Sequence, residues 1–121
     1  MNQEKLKWIS AQPIDYGQDD AGYYLDHAAP VFTNTFALGS EKDCVCRIAA
    51  LGFWICRING QDISDSVLNG PWTNFQKHIY FDKIDISSFV HKGMNTIEVE
   101  LGNGYYNPSP LRFFGKYNLR K

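Results

Sequence analysis

No stretch of the 121 residues stays apolar for the roughly 18–20 positions that a membrane-spanning helix needs. The opening Met1-Asn2-Gln3-Glu4-Lys5 has no apolar centre, so it does not read as a signal peptide. Neither sign of charge is in excess: Lys+Arg number 12, Asp+Glu 13, and the formal net charge is −1. A chain so balanced lacks the basic footprint that nucleic-acid binding requires. Cysteine is scarce and odd in number. Cys44, Cys46 and Cys56 do not form a disulfide framework, and no histidine near them in sequence completes a zinc site. They read as small apolar core residues. Catalytic signatures are missing too: no Gly-x-Ser-x-Gly elbow, no P-loop, no Rossmann glycine pattern, no His-Glu-x-x-His. His27, His78 and His91 stand far apart and read as surface or hairpin residues. No metal, cofactor or catalytic residue is expected.

What is present points to strands. The chain is 44% hydrophobic, which excludes wholesale disorder, and 15% aromatic, with 10 glycines. Aromatic and β-branched residues suit half-buried pleated surfaces, while Gly and Asn suit tight turns. At about 100–200 residues per domain, residues 1–121 make a single domain. No window sustains a 3.6-residue apolar period, so the expected class is all-β.

Strand by strand, Leu6 to Ala11 reads as a first short strand, followed by an acidic, turn-rich loop from Pro13 to Pro30. Val31 to Leu38 alternates cleanly and stops at Gly39-Ser40. Cys44, Cys46, Ile48 and Ala50 share one face, then Trp54, Cys56 and Ile58 after a bend near Gly52. Asn59-Gly60 is the pair favoured in two-residue hairpins, so these strands are expected to form a meander. His78 to Lys83 reads as a strand and Asp85 to Val90 as one helical turn, with Asp85 capping it and Gly93 closing it. Ile97, Val99 and Leu101 then point inward, with Thr96, Glu98 and Glu100 outward.

Three groups of residues are candidates for chemistry. Asp15, Asp19, Asp20 and Asp26 offer oxygen ligands for calcium, but their spacing fits no EF-hand loop, and a solvated loop is the simpler reading. Glu98 and Glu100 lie about 6.6–6.8 Å apart along one strand face, two acids of the kind a glycosidase uses, yet they flank an inward apolar set and belong to the solvated face. Trp72, after Gly70-Pro71, and Asn103, Tyr105 and Tyr106 near Gly102-Asn103-Gly104 could stack on and hydrogen-bond a sugar. The competing reading is that these aromatics plug the sandwich ends or dock against another domain.

From Ala49 onward the chain resembles the N-terminal domain of bacterial α-L-rhamnosidases. The resemblance rests on Ala50-Leu51-Gly52-Phe53-Trp54, Arg57-Ile58-Asn59-Gly60-Gln61, Gly70-Pro71-Trp72-Thr73 and Leu101-Gly102-Asn103-Gly104-Tyr105-Tyr106. Two departures stand out: the family more often has Pro before Gly at the 70–71 turn, and Trp where Tyr105 stands. The resemblance implies a galactose-binding-like jelly-roll β-sandwich, without catalytic residues of its own. The hydrolytic carboxylates would sit in a downstream (α/α)₆ barrel of the same protein, which releases terminal rhamnose and is often exported to the periplasm or beyond. The implied role is to scaffold that catalytic domain and contact glycan; the alternative is a self-sufficient carbohydrate-binding module. An independent small enzyme is a third reading, and no nucleic acid or membrane partner is expected.

Leu111 to Lys121 shows only a weak strand pattern and no hairpin partner, whereas the family has further strands there. The jelly roll is therefore expected to lack its last strands, and the exposed edge to drive homo-oligomer formation.

Overall fold

A computed structural model describes residues 7–12, 15 and 27–102 in full, and 112–113 and 117–118 by backbone alone. Among the described residues eight strands run in chain order: β1 Val31–Leu38, β2 Val45–Ile48, β3 Phe53–Ile58, β4 Gln61–Asp62, β5 Asp82–Asp85, β6 Gly93–Gly102, β7 Arg112–Phe113 and β8 Tyr117–Asn118. The described residues contain no helix, so the protein is all-β.

Four strands form one antiparallel sheet in the order β1-β6-β3-β4, and β2 pairs with β5 in a second. The long central strand β6 sets the register. Trp54 lies opposite Leu101, Cys56 opposite Val99 and Ile58 opposite Ile97. All six share one face, because strand side chains alternate with period two. Trp54, Cys56 and Ile58 are fully buried, and Ile97, Val99 and Leu101 pack against them half-buried. Ala50, Ile86 and Val90 complete this core from the side of the second sheet, with Cys46, Ile48 and Ile84 packed against it. Two sheets facing across one apolar layer make a β-sandwich. Burying a side chain such as Ile58 contributes about 1.5–3 kcal/mol, so this layer is the main favourable term holding the sheets together.

Turn chemistry matches the residues that carry it. Asn59 and Gly60 both have positive φ, 50° and 81°, as a two-residue hairpin between β3 and β4 requires. After β5, Asp85 Oδ1 accepts a hydrogen bond from Ser87 N at 2.9 Å, and Phe89 N donates to Ile86 O at 2.9 Å. The hydrogen bonds from Ser87, hydroxyl first and then backbone, hold the Asp85 carboxyl below its ordinary range. The expected helical turn is thus a single hydrogen-bonded turn, and Gly93 leaves it with φ 98°.

Four expectations are corrected. Residues 7–12 form no strand, and Trp8 and Ile9 are exposed. There is no β2–β3 meander: the bend near Gly52 carries the chain between sheets, and β2 finds its partner in β5 instead. The strand expected at His78 to Lys83 begins only at Asp82, because the ladder to β2 pairs Ile48 with Asp82 and Val45 with Asp85. The tail does have a hairpin partner, since β7 and β8 pair with each other. Of the acidic loop, Asp15 is an exposed coil residue, while Asp19, Asp20 and Asp26 lie outside the described residues.

Candidate functional site

Trp72 owes its position to an anchor at Trp54. Trp54 N donates to Asn69 O and Asn69 Nδ2 donates to Trp54 O, both at 3.2 Å. The same side-chain amide donates to Ser66 O at 3.0 Å, and its Oδ1 accepts from Ser64 Oγ at 2.6 Å. Asn69 therefore ties the loop after β4 to the middle of the core. Gly70 follows with φ 117°, and a Cβ there would lie 2.8 Å from the Gly52 carbonyl oxygen. Only glycine fits that close backbone approach. Gly70→Ala is expected to destabilise the fold by about 1–3 kcal/mol, whereas Gly39→Ala, with nothing within 4 Å, should leave the denaturation midpoint nearly unchanged. Matched urea unfolding curves of the two variants check this.

Beyond the anchor the chain turns outward. Thr73 Oγ1 donates to His78 O at 2.6 Å, and Lys77 N and His78 N both donate to Asn74 O at 2.9 Å. This compact turn presents Trp72 at 72% exposure, and leaves Phe81 and Tyr80, the latter stacked on His78, more than half exposed. Val67 and Leu68, just before the anchor, are exposed as well. Of the sequence candidates, Trp72 is placed on this surface, and Asn103, Tyr105 and Tyr106 lie outside the described residues. Val67, Leu68, Tyr80 and Phe81 were missed. Their signal was an apolar run with no alternation to bury it.

On the outer face of the larger sheet, Arg57 gathers the carboxylates. Its Nη1 donates to Glu98 Oε1 at 2.8 Å and to Glu100 Oε2 at 3.3 Å, and its Nε lies 3.2 Å from Asp62 Oδ1. Glu98 first, then Glu100, push the guanidinium pKa up. The two glutamates stand on the outer face as expected, both turned to one guanidinium rather than facing each other across a cleft. An open groove of about 550 Å³ runs along this face, lined by Thr33, Thr35, Arg57, Thr96 and Glu98. No aromatic ring lines it, and Trp72 is elsewhere.

Comparison with known proteins decides the family. The profile of the α-L-rhamnosidase N-terminal domain matches residues 40–118, spanning β2 to β8 and the Trp72 turn. The chain belongs to the α-L-rhamnosidase N-terminal domain family. It is 34% identical over 80 residues to an α-L-rhamnosidase of Formosa agariphila, covering 65% of this chain and 8% of that protein. The solved α-L-rhamnosidase of Dictyoglumus thermophilum superposes with TM-score 0.58 at 36% identity, covering 65% of this chain and 9% of that one. That of Aspergillus terreus gives TM-score 0.61 at 25% identity, covering 78% and 11%. The chain thus spans about a tenth of the length of the rhamnosidases it matches. Within this rhamnosidase family segment, the Gly70-Pro71 order has a local reason: position 70 must carry the glycine, because its backbone lies against Gly52.

Proposed function

We propose that this chain is the N-terminal module of an α-L-rhamnosidase-like glycoside hydrolase, a single jelly-roll domain that braces the catalytic part of its parent protein. On this reading the parent releases terminal rhamnose from glycans, and the module itself carries out no hydrolysis. One observation carries the bracing role. The connection from residue 67 to 81 exposes six large apolar side chains: Val67, Leu68, Trp72, Ile79, Tyr80 and Phe81. So many large apolar side chains exposed within one connection mark a segment against which another protein surface packs. Its occupant is the polypeptide that follows this segment in the rhamnosidases, whose matched proteins are about ten times longer than the matched segment.

Without that occupant the surface pairs with copies of itself, a route to a homo-oligomer other than the exposed edge on which the sequence expectation rested. Sedimentation of the chain at high micromolar concentration should show dimers or larger species. The double variant Trp72→Ser with Phe81→Ser should be monomeric at the same concentration. A monomeric unsubstituted chain overturns the docking role of this surface.

The second reading is a carbohydrate-binding module using Trp72, Asn103, Tyr105 and Tyr106. It is favoured by the exposed Trp72 ring, since aromatic faces stack on sugar rings.

A further inference from the structure

We propose that Cys46 and Cys56 form a reversible disulfide between the two sheets, closed by exchange with a low-molecular-weight disulfide. Cys46 belongs to β2 in the two-stranded sheet and Cys56 to β3 in the four-stranded one. Both point into the layer between them and belong to one packed apolar cluster, and each thiol shifts the other's titration. Sandwich folds carry such bridges where facing strands bring two cysteines together, as immunoglobulin domains do.

The odd cysteine is accounted for. The Cys44 thiol lies 3.5 Å from Ser40 O and 3.7 Å from Lys42 O, in the turn before β2. Its backbone is fixed by Cys44 N donating to Ser87 Oγ at 3.0 Å and by Ile86 N donating to Cys44 O at 2.9 Å. Cys44 is therefore engaged on the turn, and the remaining two cysteines share the apolar layer between the sheets.

Access and acidity divide the roles. Cys46 is half-buried, and the hydrogen bond from Cys56 lowers its pKa to about 7, with burial opposing. Cys56 is only 1% exposed, and donating to Cys46, then burial, push its thiol up. A thiolate is the nucleophile in exchange. The Cys46 thiolate attacks one sulfur of the oxidant RSSR, forming a mixed disulfide and releasing RS⁻, which takes up a proton. Cys56 then loses its proton and attacks the Cys46 sulfur, breaking the mixed disulfide and releasing the second RSH. Two protein thiols are oxidised and one RSSR is reduced to two RSH. The bond fastens β2 to β3 across the core. It closes in an oxidising compartment and opens where thiols predominate.

The test is incubation of the folded chain with oxidised glutathione, followed by alkylation, denaturation and peptide mapping. Free thiols should fall from three to one, with a linked Cys46–Cys56 peptide, and dithiothreitol should restore all three. In Cys44→Ser the count should fall from two to none, with the same link. Retention of every thiol, a lasting glutathione adduct on Cys46, or a cross-link made mainly through Cys44 would overturn the assignment.

Discussion

Replacing Asn95 with alanine is expected to destabilise the fold by about 3 kcal/mol, although Asn95 carries no charge. Asn95 is 1% exposed, the one polar side chain buried among the described residues. Its Oδ1 accepts from Asn59 Nδ2 at 2.8 Å and from His91 N at 2.9 Å. Its Nδ2 donates to His91 O at 2.8 Å and to Gly93 O at 3.1 Å. The same network continues through Asn59, whose Nδ2 donates to Phe89 O and whose Oδ1 accepts from Thr96 N, both at 3.0 Å. Asn95 thus ties the 86–93 turn to the β3–β4 hairpin and to the start of β6. An unmatched buried donor or acceptor costs about 1–3 kcal/mol, and alanine would strand several at once. Chemical denaturation of Asn95→Ala checks this. A loss below about 1 kcal/mol would mean that the network contributes little.

Trp54→Ala should be the most damaging single change in the core, costing about 3–5 kcal/mol. Trp54 is 1% exposed, centres the apolar layer and holds Asn69 through both of its backbone groups. Trp54→Phe should cost markedly less. The Trp54 indole N–H is buried with no hydrogen-bond partner among the described residues. Phenylalanine removes that unpaired donor while keeping most of the apolar contact, so part of the cavity cost is offset. Unfolding free energies of the two variants give the comparison. Equal losses would show that the indole nitrogen is satisfied in solution.

The strands that were legible in the sequence are those whose alternation is complete. β1, β3 and β6 announce themselves through Phe36 and Leu38, Trp54, Cys56 and Ile58, and Ile97, Val99 and Leu101. Asn59-Gly60 names its own turn. Asn95 was legible in the same way and was missed: two residues before Ile97, it is in phase with the inward set. Strand pairing was not legible, because partners are distant in sequence. Nothing local tells Cys46 that its ladder partner is Ile84 of β5 rather than a residue of β3. The apolar run Ile79-Tyr80-Phe81 imitated a strand because apolar content is the strongest local cue. In the structure those side chains are surface, and the ladder beside them is built on Asp82–Asp85, whose only apolar member is Ile84. At the candidate site, Gly70-Pro71-Trp72 correctly indicated a turn that presents an aromatic ring, but the anchor through Asn69 depends on a contact with Trp54, 15 residues away.

The most direct test of the bracing role is titration calorimetry of the folded chain with L-rhamnose. A module that serves packing rather than recognition gives no saturable heat up to ~10 mM sugar, corresponding to binding weaker than about −2.7 kcal/mol. A saturable heat within that range, lost in Trp72→Ala while the fold is retained, would contradict the account and make the chain a carbohydrate-binding module.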